Sequence, residues 1–156
     1  MSDSPTRDAK DKALLLCGLA LDKKAQDLVL LEVGELTTIA EYFLICSGRS
    51  DRHVQSIAEG IREDGRVQGV RPLSSEGVTR GQWVLMDFSD VLVHVFYQPV
   101  RGFYDLDGLW GGAKVVELPE PHATLAAQFT SAGDPADPWP AVEGVSGPGY
   151  FGKPVR

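Results

Sequence analysis

The sequence predicts a single α/β domain, a mixed β-sheet flanked by helices. Three observations carry that expectation. Compact apolar runs such as Leu28 to Val33 and Tyr42 to Cys46 have strand length and end at glycine or polar turns. Two intervening segments repeat apolar residues at helical spacing. Two further apolar runs, Trp83 to Met86 and Val91 to Tyr97, are joined through Asp87-Phe88-Ser89-Asp90, a link so short that they must pair antiparallel.

In chain order, residues 1–7 are polar and expected to be loose. From Asp8 to Lys24 a helix is predicted, burying Ala13, Leu16, Cys17, Ala20 and Leu21, with Lys23 and Lys24 in its last turn. Gly18 inside it costs about 1 kcal/mol relative to alanine. After the first two strands, Ser50 is placed to cap a helix whose stripe is Val54, Ile57, Ala58 and Ile61, with Gly65 and Gly69 closing it. A short strand near Val70 to Leu73 precedes the hairpin. Pro99 then starts a helix running to about Trp110, with Val100, Phe103 and Leu106 inward and Tyr104 outward. Lys114 to Leu118 is the last predicted strand. Seven of the ten prolines fall in residues 119–156, without apolar periodicity, so this segment is expected to be a disordered or loosely wrapped tail.

Composition narrows the function. A chain of 156 residues suits one core-bearing domain. Its formal charge of -7 argues against general affinity for a phosphate backbone and leaves basic proteins as partners. Cys17 and Cys46 lie inside apolar runs without metal-ligand spacing, as buried thiols do. The apolar run Ala13 to Leu21 is too short for a membrane span and lacks the marks of a signal sequence, so a cytoplasmic protein is expected.

Catalytic signals are weak. Asp87 and Asp90 could hold magnesium for nucleotidyl or phosphoryl transfer. Their spacing, however, puts them at the two ends of a turn, where aspartate serves local hydrogen bonds. Ser47-Gly48-Arg49-Ser50 precedes a helix but lacks the lysine of a phosphate loop. His94 sits mid-strand, His53 on a helix and His122 in the tail, with neither cysteine in a nucleophile context. The segment Trp83 to Trp110 stands apart. It carries four aspartates against one arginine, a balance of -3, among aromatics, as a face gripping a basic protein would.

Three runs in fixed order, YFLICSGRSDRHVQSIA, WVLMDFSDVLVHVF and VRGFYDLDGLW, resemble the ribosomal silencing factor (Iojap-like) family over about Asp8 to Leu118. The resemblance implies a nucleotidyltransferase-like fold without the catalytic carboxylates, no cofactor, and no enzymatic turnover. It implies binding to the large ribosomal subunit through its ribosomal protein fourteen, where the bound factor blocks joining of the small subunit when nutrients are scarce. The resemblance also makes a homodimer plausible; apart from it, a dimerisation or scaffold domain using the same apolar face is the blander alternative. Trp83 matches the tryptophan opening the family's hairpin. Asp87, Asp90 and His94 match its D-x-G-D and V-H-V-F positions, and Tyr104, Asp105, Leu109 and Trp110 its Y-D-L-x-x-L-W helix. With Arg101 of V-R-x-F-Y, these are the residues expected at the partner face. Two departures stand out: Ser89 replaces the turn glycine, at little cost provided its φ is negative, and Gly102 loosens its helix by about 1 kcal/mol.

Overall fold

The computed structural model describes residues 8–130; residues 1–7 and 131–156, with the expectations made for them, lie outside the described residues. The chain runs α1 (Ala9–Asp22), β1 (Gln26–Glu32), β2 (Tyr42–Gly48), α2 (Asp51–Val67), β3 (Ser74–Glu76), β4 (Trp83–Asp87), β5 (Val91–Tyr97), α3 (Gln98–Tyr104), α4 (Leu106–Leu109), β6 (Lys114–Val115) and α5 (His122–Gln128). The six strands form one sheet in the order β3-β4-β5-β2-β1-β6. β2 and β5 pair in parallel and every other neighbouring pair is antiparallel, so the sheet is mixed as expected.

Side-chain alternation builds two cores from one sheet. Leu44 and Cys46 of β2, Val84 and Met86 of β4, and Val91, Val93 and Val95 of β5 pack with α1 and α2. Phe43 and Ile45, Trp83 and Leu85, and Leu92 and Phe96 project to the other face, where α3 and α4 cover them. Because both faces are covered, the central strands read as continuous apolar runs rather than as alternating ones. The stripes predicted for α1 and α2 are all buried. Ser50 caps α2, its Oγ accepting from the His53 N–H at 3.0 Å. Cys17 and Cys46 are free and buried, and burial pushes both thiols up.

Several boundaries differ from expectation, each for a local reason. α1 stops at Asp22, so Lys23 caps it and Lys24, at φ 63°, lies beyond its last turn. α2 continues through Gly65, and Gly69, at φ 82°, makes the turn out. The strand expected at Val70 to Leu73 begins at Ser74, and the last strand is only Lys114–Val115. The helix expected from Pro99 to Trp110 is broken into α3 and α4 at Asp105.

The domain also extends past 118. α5 lies on α1, where the His122 Nε2–H donates to the Leu14 carbonyl at 2.9 Å, and the Phe129 carbonyl accepts from the Asp27 N–H at 2.9 Å. Gly18 has its explanation here: a Cβ at that position would stand 3.0 Å from the His122 imidazole. What the glycine costs α1 in helix propensity is the room it gives α5. Composition suggested a tail because proline and glycine dominate the segment as a whole, which hides the short His122–Gln128 helix at its start.

The hairpin turn corrects a second expectation. Ser89 has φ 79°, in the left-handed region that costs a side-chain-bearing residue about 1–2 kcal/mol. Its N–H is held by Asp87 Oδ1 at 2.8 Å, which fixes the strained geometry. Ser89→Gly therefore stabilises the domain by about 0.5–1 kcal/mol, the relieved strain exceeding the added freedom of the unfolded chain. Urea unfolding of both proteins measures it, and an unchanged or lowered midpoint contradicts it.

Candidate protein-binding face

The face is built on an aromatic layer between the sheet and α3–α4. Trp83 and Phe96 are cross-strand partners on β4 and β5, with rings stacked at 4.9 Å between centroids. Tyr104 of α3 lies 4.6 Å from Trp83. Phe43 meets His94 edge-on at 5.0 Å and Trp110 edge-on at 4.9 Å. Contacts of this kind contribute about 0.5–1.5 kcal/mol each beyond the area they bury.

His94 sits at the centre of this layer with no exposure to solvent. Trp83 Nε1–H donates to His94 Nδ1 at 3.2 Å, so the imidazole is neutral with its own proton on Nε2. Burial lowers its pKa from 6.5 to about 3, and the more distant charge of Asp107 only partly opposes that. His94 is thus a structural acceptor for the indole.

Arg101 is the second organising residue. Its Nε and Nη2 donate to the two Asp107 carboxylate oxygens at 3.0 and 2.8 Å, while Nη1 donates to the Asp27 carbonyl at 2.7 Å and Ser47 Oγ at 2.9 Å. Burial would raise the Asp107 carboxyl, but the Arg101 hydrogen bonds and charge outweigh it and hold the carboxyl below its usual range. The Asp27 carbonyl is available because β1 is irregular between Gln26 and Val29 and Asp27 has φ 49°. One guanidinium thus ties α4 to β1 and β2.

Asp105 makes the elbow between α3 and α4. At φ 51° and ψ 47° it ends α3, and its Oδ1 accepts from the Gly108 N–H at 3.2 Å to cap α4. Aspartate tolerates the left-handed region better than most residues. A Cβ at Gly108 would run into the Asp105 carboxylate, so the cap requires that glycine.

The expected partner-face residues therefore separate. Trp83, His94 and Tyr104 are buried and cannot themselves touch a partner, which corrects their expected role. Tyr104 faces inward because it lies one turn after buried Val100, on the same face of α3. Arg101 is mostly engaged internally. Asp105 and Leu109 are exposed and Trp110 is half-buried. Asp87 and Asp90 lie at the hairpin end, where β5 begins, whereas α3 leaves from where β5 finishes. Asp90 pairs with Lys12 of α1 at 2.6 Å, and that lysine also donates to the Phe88 carbonyl. With Asp87 holding Ser89, both carboxylates serve the turn. Among the described residues no group of three or more His, Cys, Asp and Glu could hold a metal ion.

Sequence reasoning missed the apolar residues around Leu109. Val115 of β6 is 64% exposed and pairs with Leu31, on the α3–α4 side of the sheet. Leu36, 53% exposed, borders a shallow cleft with Gly112, Ala113 and Lys114. Leu109, 68% exposed, precedes the same turn. Glu32 and Glu35 line that cleft, and Asp105 stands just ahead of α4. The charged lining of the cleft is thus mainly acidic, with exposed apolar residues at Leu36 in it and at Leu109 and Val115 in the segments flanking residues 112–114. No helix among the described residues is long and apolar enough to cross a membrane.

The buried neutral histidine gives a pH dependence of known sign. Its folded pKa lies below the unfolded value, so its stabilisation is complete above about pH 6.5 and drains as pH falls towards 3. Between pH 5.5 and 4 the unfolding free energy should fall more steeply than in His94→Gln, by up to about 1.4 kcal/mol per pH unit. Glutamine can still accept from the indole. Equal slopes in the two proteins by chemical denaturation contradict the assignment.

Comparison with known proteins places the chain in a family. The family described as ribosomal silencing factor during starvation matches residues 6–138. The ribosomal silencing factor RsfS of Bacillus subtilis is 41% identical over 97 residues, covering 62% of this chain and 82% of that protein. The RsfS of Halalkalibacterium halodurans is 43% identical, covering 62% and 83%. The chloroplastic protein Iojap of Zea mays is 32% identical over 74% of this chain and 53% of its own length. A crystal structure from Chromobacterium violaceum superposes with a TM-score of 0.64 at 34% identity, covering 74% of this chain and 98% of that one. One from Bacillus halodurans gives 0.60 at 38% identity, covering 69% and 98%. With a family match across most of its length, and relatives named as silencing factors rather than as enzymes, the chain belongs to the ribosomal silencing factors.

Proposed function

We propose that this silencing factor binds the large ribosomal subunit through large-subunit ribosomal protein fourteen and blocks joining of the small subunit when nutrients are limiting. The observation that carries the reading is the exposed apolar surface of Leu36, Leu109 and Val115 around the Trp110–Ala113 turn, set in a mainly acidic rim. Such a surface suits a partner with a basic rim and an apolar centre. Leu109, Trp110 and Asp105 make the contact. Trp83, His94, Tyr104 and Arg101 hold the elbow that presents them, so the bound state needs little rearrangement. Silencing then requires occupancy alone. The same apolar surface can take a second copy of the chain, in which case dimer and ribosome compete for it.

Leu109→Asp tests this reading. Leu109 is already largely in water, so the fold loses little, whereas a charge replaces an apolar contact in the complex. Co-sedimentation with purified large subunits should weaken at least about tenfold, about 1.4 kcal/mol, at unchanged melting temperature. Trp83→Ala is the contrasting variant: it opens a cavity and costs about 3–5 kcal/mol of stability. Wild-type binding by Leu109→Asp would place the contact elsewhere.

A further inference from the structure

A second surface lies where α1 ends and α2 begins. Lys23, Lys24, Arg49, Arg52 and Arg80 are all exposed, and none makes a salt bridge among the described residues. Hydrogen bonds bring their backbones together. The Arg49 N–H donates to His53 Nδ1 at 3.0 Å, and the opposite ring nitrogen, His53 Nε2–H, donates to the Lys23 carbonyl at 2.9 Å. Gln55 Nε2 donates to the Val78 and Thr79 carbonyls at 3.0 and 2.8 Å, which lays the segment before Arg80 along the first turns of α2. Gly81 abuts the Asp51 carbonyl so closely that a Cβ there would overlap it. The cations thus come from separate segments that the fold gathers. Against them stand Asp22 and Asp51.

Their isolation is informative in a chain of formal charge -7. On α2 further along, Arg62 and Arg66 pair with Glu59 and Glu63. Among the described residues, the cations at the start of α2 have no such partners. The exposed large apolar residues, Leu36, Ile39, Val67, Leu73, Leu109 and Val115, all belong to other segments. A protein-binding centre needs apolar or aromatic anchors, which this surface lacks. A phosphate backbone needs only spaced, exposed cations.

We infer that this basic surface contacts the phosphate backbone of ribosomal RNA, without sequence preference, while the Leu109 face holds the ribosomal protein. The inference rests on the ribosome-binding reading above and adds a second, salt-dependent anchor. A rigid body held at two places is fixed in orientation as well as position. The net negative charge of the whole chain keeps the RNA contact too weak to act alone.

The test uses the full chain and purified large subunits at 50 to 200 mM KCl, comparing wild type with the triple variant Arg49→Gln, Arg52→Gln, Arg80→Gln. Losing three phosphate contacts lowers the slope of log affinity against log salt by about 2–3. Wild-type affinity should therefore fall about 30-fold more than the variant's over this range. Affinity for isolated ribosomal protein fourteen should be unchanged. The pair Lys23→Gln, Lys24→Gln should reproduce part of the slope change, which guards against a misfolded triple variant. Equal affinities and slopes for wild type and both variants overturn the inference, as does an equal loss towards the isolated protein, which would make the surface a protein contact. Absence of wild-type binding to the subunit would instead defeat the ribosome-binding reading.

Discussion

The α3–α4 side of this domain depends on one buried hydrogen bond, from the Trp83 indole to a neutral His94. An imidazole with no solvent exposure is tolerable there only while it stays uncharged, and its lowered pKa keeps it so. Around it Phe43, Phe96, Tyr104 and Trp110 lock against one another, and α3–α4 has one way to sit on the sheet. Replacing the imidazole with an apolar ring would strand the indole N–H in the core. A protonated one would place a charge there.

The second constraint is the Arg101 junction. The irregularity of β1 turns the Asp27 backbone out of the β2 ladder, and both its polar groups find other partners. The carbonyl takes Arg101 and the N–H donates to Phe129. One departure from strand geometry therefore anchors both α4 and the segment after α5. The elbow at Asp105 is positioned from two sides, by the aromatic layer beneath it and by the Arg101–Asp107 pair beside it.

Much of the fold was legible because periodicity reports burial directly. The stripes of α1 and α2, the Ser50 cap and the strands β2, β4 and β5 follow from spacing alone. The partner face was less legible. Trp83 and Tyr104 look like interface aromatics in composition, and only the packing of α3 shows them to be core. The break at Asp105 leaves a faint signal, an aspartate followed three residues later by glycine, and left-handed backbone at a non-glycine residue is hard to foresee. The contacts of Arg101 with Asp27 and Ser47, and of Lys12 with Phe88 and Asp90, join residues 54 to 78 positions apart, beyond the reach of local pattern. Val115 escaped notice because exposure at a sheet edge depends on strand order.

Neither surface requires chemistry. A rigid acidic and apolar elbow on one side and a basic end on another suit a protein that acts by occupying a position. The most direct test is subunit joining itself. Purified large subunits are preincubated with increasing amounts of the chain, mixed with small subunits in magnesium, and followed by light scattering. Joined ribosomes should decline in proportion to the fraction of large subunits occupied, with no nucleotide required. Full joining on large subunits that demonstrably carry the bound chain would contradict a steric mechanism.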